Sequence, residues 1–223
     1  MQMRTVVFDL DGTLADTSRD LIAAANRWFC DGGHGEMLDP VKDAGTALRG
    51  GRAMLKLGLE RLGRVEDDAT VEQFYHVFLD VYEAEIDTHT TLYPGAMEAV
   101  EALRRDNYAV AICTNKPDHL AELLLSRLGV RDSFSALIGA NTLPVRKPDP
   151  EALRETVRRA GGDITRSLLV GDTITDHSTA RAAGVPSVLV TFGPGGPGVA
   201  ALEPEALIAD YSELTDVVDR LIG

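Results

Sequence analysis

Basic residues are in short supply in this chain of 223 residues. Lys and Arg number 22 against 35 Asp and Glu, a formal charge of −13. That surplus of acid argues against non-specific binding to nucleic acid or to an anionic membrane surface. Any phosphate group the protein handles must be held by local donors against the field of the whole molecule. Cysteine is almost missing: Cys30 and Cys113 make no disulfide framework. No apolar stretch reaches transmembrane length. The first residues run into a strand pattern with no signal peptide, so a reducing cytoplasm is the expected location. There is no internal repeat and no low-complexity tract. The Gly-Pro-rich stretch from Gly193 to Gly198 lacks the Gly-Lys-Ser/Thr of a P-loop and reads as a loop, not a nucleotide cradle.

What is present is enough apolar residue, 44%, for a sizeable core. Five short continuous apolar runs read as buried parallel strands: Thr5–Phe8, Tyr108–Cys113, Ala136–Ala140, Leu168–Val170 and Val188–Thr191. Helix patterns lie between them. Pro94, Pro117 and Pro150 stand where a first helical turn begins, and Gly129, Gly161 and Gly184 where helices stop. Leu120, Leu123, Leu124 and Leu128 share one helical face; Leu214, Val217, Val218 and Leu221 share another. Strand alternating with helix predicts an α/β fold with a doubly wound, mostly parallel, Rossmann-like core, whose ligands sit at the carboxyl ends of the strands. The segment 17–90 breaks the alternation. Leu21, Ile22, Ala25, Trp28 and Phe29 form one helical face, and Met54, Leu55, Leu59 and Leu62 a second. Thr70 with Gln73 reads as a capping box before Val71, Phe74, Phe78 and Tyr82. The expected organisation is a catalytic core from residues 1–16 and 91–223 and, between them, an inserted bundle of about four helices over 17–90.

The chemistry gathers at strand ends. Asp9 and Asp11 follow the first apolar run directly, and Gly12 allows a sharp turn. Two carboxylates so close repel one another, a penalty that a hard divalent cation with oxygen ligands removes. Thr114 and Asn115 end the second run with a hydroxyl and backbone N–H groups suited to an anion. Lys147 is stiffened by Pro148, and Asp149 is placed to cap a helix. Asp172 and Asp176 follow the fourth run, with His177 next, a residue type found more often on a helix surface than in a site. Four carboxylates, a lysine and a hydroxyl at one sheet edge are suited to metal-assisted chemistry on a phosphate, with a carboxylate as covalent nucleophile.

In these residues the chain resembles the haloacid dehalogenase-like hydrolase superfamily, specifically its phosphatases with a helical cap inserted after the first motif. Asp9-x-Asp11-Gly12-Thr13 matches the first motif, Thr114 the second, Lys147 the third, and Gly171-Asp172-x-x-x-Asp176 the fourth. Within that superfamily, Asp16-Thr17-x-x-Asp20-Leu21 with Ala25-Asn26 looks like phosphoglycolate phosphatases. The resemblance implies a Mg²⁺-dependent phosphomonoester hydrolase. Asp9 would attack phosphorus, and Asp11 would protonate the leaving alcohol and then activate water. Mg²⁺ would be held by Asp9, the Asp11 backbone carbonyl and Asp172, with support from Asp176. Thr114, the Asn115 backbone N–H and Lys147 would bind the phosphoryl oxygens, and the cap would close over the site. Arg49 and Arg52, beside Gly50 and Gly51, are the candidate cap residues for a second anion on the substrate.

The expected partner is a small phosphorylated metabolite, phosphoglycolate first, with sugar phosphates, nucleoside monophosphates and pyrophosphate as alternatives; the chain is expected to act as a monomer or homodimer. A β-phosphoglucomutase-like phosphotransferase would share the motifs, but Thr13 is the phosphatase-like choice over the Val common in such mutases. A dehalogenase would lack Asp11. A phosphoaspartate receiver domain would place its acidic pair and its phosphorylated Asp on different strands, in about half the length.

Overall fold

In the computed structural model, residues 3–47 and 49–223 are described. Strand β1 (Met3–Phe8) is buried at Thr5, Val6, Val7 and Phe8 alike, which requires cover on both faces of a sheet. In chain order it is followed by β2 (Ala15–Asp16), α1 (Ser18–Asp31), α2 (Ala44–Ala47), α3 (Gly51–Arg61), α4 (Asp68–Ala84), β3 (Thr91–Leu92), α5 (Ala96–Arg105), β4 (Ala109–Cys113), α6 (Asp118–Arg127), β5 (Ala136–Ile138), α7 (Pro150–Arg159), β6 (Gly162–Gly171), α8 (Ile174–Ala183), β7 (Ser187–Val190), β8 (Ala206–Ile208) and α9 (Leu214–Ile222).

The chain divides into two units, Met1–Ala15 with Leu92–Gly223, and Asp16–Thr91. The first unit is built on a six-stranded sheet in the order β5-β4-β1-β6-β7-β8, every neighbouring pair parallel. The order reverses at β1, so the crevice at its carboxyl end is where a ligand is expected. Register makes this concrete. Phe8 pairs with Ile112 on one side and with Val170 on the other. Asp9 follows that level by one residue and Thr114 and Asp172 by two, so all three emerge at one sheet edge. Beneath that edge, Val7, Cys113 and Leu169 pack on Ala152, Leu153 and Val157 of α7 and Ala180 of α8. Each fully buried aliphatic side chain contributes about 1.5–3 kcal/mol, so the edge stands on a stiff floor.

The second unit contains α1 to α4. Its aromatic rings stack along one helix: Tyr75 on Phe78 at 5.9 Å and Phe78 on Tyr82 at 6.1 Å. Two buried polar residues of this unit, Asn26 and Asp20, are occupied within it. Asn26 accepts from the Met37 and Leu38 N–H groups and donates to the Leu38 carbonyl. The Asp20 carboxylate accepts from the N–H groups of His89 and Thr90 and from the Thr90 hydroxyl, at 2.8–2.9 Å.

Several local expectations are corrected. The sheet has a sixth strand, β8, three residues long between acidic neighbours, where Leu207 is partly exposed and the apolar run is too short to stand out. Helix α4 starts before the expected Thr70–Gln73 box: the cap is Asp67, whose carboxylate accepts from the Thr70 N–H at 2.8 Å. An aspartate there also complements the helix dipole. Pro150 opens α7 behind the Asp149 cap, but Pro117 is itself the residue before α6, and Pro94 lies ahead of the Gly95 that precedes α5. On α6 the buried face is Leu120, Ala121, Leu124 and Leu125, and on α9 it ends with Ile222 in place of Leu221. Among the described residues no helix is long and apolar enough to cross a membrane.

Candidate active site

The turn after β1 sets the first two carboxylates. The N–H groups of Thr13, Leu14 and Ala15 all point to the Leu10 carbonyl, and the Gly12 N–H donates to Ala15. This winding needs a positive φ at Gly12, 78°, which a side chain would strain. The Asp9 N–H is tied to the Val170 carbonyl at 2.9 Å, and its carboxylate accepts from the Leu10 N–H at 2.7 Å.

Three carboxylates converge. Oxygens of Asp9, Asp172 and Asp176 all lie within 4.8 Å of one another. Lys147, fully buried, reaches into the group, its Nζ 3.0 Å from Asp9 Oδ1 and 2.5 Å from Asp176 Oδ1. Asp176 sits in the first turn of α8. Its second oxygen accepts from the Thr173 N–H and hydroxyl, and the Thr173–Asp176 capping box holds it. Asp172 Oδ1 accepts from the Thr13 hydroxyl at 2.9 Å, whereas its Oδ2 is buried with no hydrogen-bond partner among the described residues.

The electrostatics carry a consequence. Burial pushes the Asp9 carboxyl up to about 6; Lys147 opposes this, and Asp176 and Asp11 add to it. Asp172 is also raised well above the ordinary carboxylate range by burial, then by Asp176 and Asp9. Burial alone would lower Lys147, but Asp176 and Asp9 outweigh it and hold the ammonium firmly charged. One cation thus stands among three acids, and a buried, unpaired carboxylate oxygen is costly. The donor set is all oxygen, with no Cys or His among the three carboxylates, and it fits a hard divalent cation. The neighbouring Cys113 thiol is pushed up to about 11 by burial, so it stays neutral and takes no nucleophilic part.

The second strand end behaves differently from its bare sequence. Thr114 is buried, its N–H donating to Ile138 and its hydroxyl accepting from the Lys116 N–H. The exposed Asn115 uses its side-chain amide to hold the Lys147 carbonyl at 3.0 Å, tying the two loops together. Lys116, which sequence reasoning passed over, is buried, with Nζ 2.9 Å from Asp11 Oδ1. The Asp11 carboxylate is absent from the three-acid cluster; the resemblance asks only its backbone carbonyl to serve a metal.

Other residues were also missed. Tyr211 donates to the Thr13 carbonyl at 2.8 Å, bracing the residue that holds Asp172. The glycine-rich loop also packs here, for a Cβ on Gly193 would come within 2.6 Å of the Gly12 carbonyl. His177 is buried, not on the surface as its residue type led one to expect. Its Nδ1 lies 2.8 Å from the Ser187 hydroxyl, which donates to Glu205. In the helical unit, Arg49 is exposed, while Arg52 makes a two-pronged pair with Glu72, both bonds 2.6 Å, and lies over the Tyr75 ring at 3.6 Å. That pair engages Nε and Nη2 of the guanidinium.

A family model for haloacid dehalogenase-like hydrolases matches residues 3–184. The chain belongs to that family. As a haloacid dehalogenase-like hydrolase it has close relatives. It is 39% identical to a phosphoglycolate phosphatase of Mesorhizobium japonicum, over 100% of this chain and 98% of the relative. It is likewise 39% identical to a phosphoglycolate phosphatase of Agrobacterium fabrum, over 97% of this chain and 93% of the relative. Among solved structures, a predicted phosphoglycolate phosphatase from Haemophilus somnus 129pt matches with a TM-score of 0.82 at 24% identity, covering 97% of this chain and 98% of that one. At that identity the likeness is one of fold.

Proposed function

We propose that this hydrolase is a Mg²⁺-dependent phosphatase that cleaves a small phosphomonoester, phosphoglycolate, through a phosphoryl group carried on Asp9. The observation that carries the reading is the buried cluster of Asp9, Asp172 and Asp176 around one ammonium, with an Asp172 oxygen left without a partner among the described residues. Asp9, Asp172 and the Asp11 backbone carbonyl would hold the ion, Asp176 supporting them. Bound there, the ion supplies neutralisation of the charge that otherwise repels a phosphate dianion.

The chain's own residues do the rest. Asp9, held by the Leu10 N–H, presents a carboxylate oxygen to phosphorus. Lys147 already touches that carboxylate and offsets repulsion between it and the phosphoryl oxygens. The Thr114 hydroxyl and the Asn115 N–H add fixed donors, which act most strongly where charge develops. Asp11 gives a proton to the departing alcohol oxygen. It then takes one from the water that attacks the phosphoryl-Asp9, releasing inorganic phosphate and restoring the carboxylate. The substrate assignment is supported by the names of the two relatives at 39% identity.

The test is release of inorganic phosphate from phosphoglycolate by the purified protein, with Mg²⁺ or with excess EDTA, scored by kcat/KM beside sugar phosphates, nucleoside monophosphates and pyrophosphate. Phosphoglycolate is expected to rank first and EDTA to abolish turnover. A higher kcat/KM for another of these substrates overturns the substrate; full activity in EDTA overturns the metal.

A further inference from the structure

We propose that Lys116 is the positioning residue for Asp11, holding its carboxyl group in the orientation from which it exchanges a proton with the substrate. The inference rests on the reading of Asp11 as the acid and base of the reaction.

The geometry points to a device built for this. Lys116 is only 5% exposed, unusual for a lysine. Its main chain is pinned on both sides: its N–H donates to the Thr114 hydroxyl, and its carbonyl accepts from the Ala140 N–H at 2.9 Å. The ammonium leaves this platform and donates to Asp11 Oδ1 at 2.9 Å. Burying so flexible a side chain costs rotamer entropy. What it holds is the carboxylate that otherwise has reason to leave. Asp11 keeps 21% of its side chain exposed, and the like charges of the nearby acid cluster favour turning it out to water.

Lysine chemistry adds a directional element. An ammonium has three donors and no lone pair, so it fixes Asp11 by donating to an oxygen of its carboxyl group. In the first half-reaction a bond forms between an Asp9 oxygen and phosphorus. The bond from phosphorus to the leaving oxygen breaks with its electron pair on that oxygen, and the proton on the Asp11 carboxyl group passes to it. Lys116 touches none of the reacting atoms in this scheme; it acts through Asp11.

The experiment compares two substrates without a second anion that differ in how much they need an acid. Phenyl phosphate expels a weakly acidic phenol, and p-nitrophenyl phosphate expels a good leaving group. In Lys116→Met, kcat/KM for phenyl phosphate should fall about 10-fold or more, while that for p-nitrophenyl phosphate should fall less than about 3-fold, for misplaced proton transfer weighs on the poorer leaving group. Affinity for inorganic phosphate should hold, and Lys116→Arg, which keeps the charge, should restore the wild-type ratio of the two substrates. Lys116→Gln gives the same reading if the methionine variant does not purify folded. Equal losses on both substrates would mean a structural role, and loss of phosphate affinity would mean that Lys116 binds the phosphoryl group; either overturns the proposal. Asp11→Asn is the control for the underlying reading. It should lose phenyl phosphate turnover more severely than any Lys116 variant, and an unchanged substrate ratio there removes Asp11 from the role, and Lys116 with it.

Discussion

The two units of this protein treat charge in opposite ways. In the helical unit, three cations each meet a carboxylate: Arg52 with Glu72, Lys56 with Asp68, Arg61 with Asp43. Its buried Asp20 is satisfied by backbone N–H groups and a hydroxyl. In the α/β unit, three carboxylates crowd one lysine, and one buried oxygen has no partner among the described residues. Paired charge stabilises modestly and serves structure. Unbalanced buried charge costs stability and persists when something else completes it. On the proposed reading, the contrast places the chemistry in the α/β unit, and Arg49 and Arg52 of the helical unit become the residues to test.

Asymmetry of this kind can be attacked from either side, and the largest effect should come from the acid cluster. Asp9→Asn keeps the shape and removes the attacking carboxylate, so turnover should fall to background in a preparation free of deamidation, measured by phosphate release. Lys147→Ala comes next. It should lower kcat at least about 10²-fold, as loss of a preorganised electrostatic donor does, and should lower stability by about 3 kcal/mol because it strands buried acids. A change confined to KM would reduce Lys147 to a ground-state binder.

A smaller effect concerns pH. Asp9 titrates near 3.8 when unfolded and about 6 in the fold. Between these values the folded chain holds the extra proton, so this group's contribution to stability is lost as pH rises. The loss amounts to about 3 kcal/mol once pH exceeds both values. Denaturant titrations of metal-free protein should show it, and saturating Mg²⁺ should stabilise the fold more at about pH 7 than at about pH 5. A Mg²⁺ effect that does not vary with pH would separate Asp9 from the ion. Smallest of all, Arg52→Ala removes one half-exposed pair and one ring contact, about 1 kcal/mol of stability, and should lower phosphoglycolate and p-nitrophenyl phosphate turnover in parallel. A selective loss on phosphoglycolate would return Arg52 to substrate recognition and blur the contrast between the units.

Reading the sequence alone reached the sheet's centre and the site's acids for one reason. Thr5–Phe8 and Leu168–Val170 are buried on both faces, so their apolar runs are unbroken, and the acids stand directly at their ends. It failed where pattern is weak or ambiguous. β8 is three residues long with an exposed middle. Asp67 outcompetes Thr70 as a cap within one short polar run. Lys116 and His177 are residue types that usually face water, and their burial comes from the packing of strand ends against neighbouring loops. Lys116 had one signal, its place two residues beyond Thr114 in the same strand-end cluster. Tyr211 lies 198 positions from the Thr13 carbonyl it braces, a contact no local pattern encodes.

The most direct test of the central claim is to quench the protein in acid during turnover of phosphoglycolate with Mg²⁺ and map the phosphoryl group by peptide mass. The account predicts one added phosphoryl group on the peptide containing Asp9, absent in Asp9→Asn. A phosphoryl group on any other residue, or none under conditions where turnover is rapid and phosphoryl-aspartate survives the quench, would contradict it.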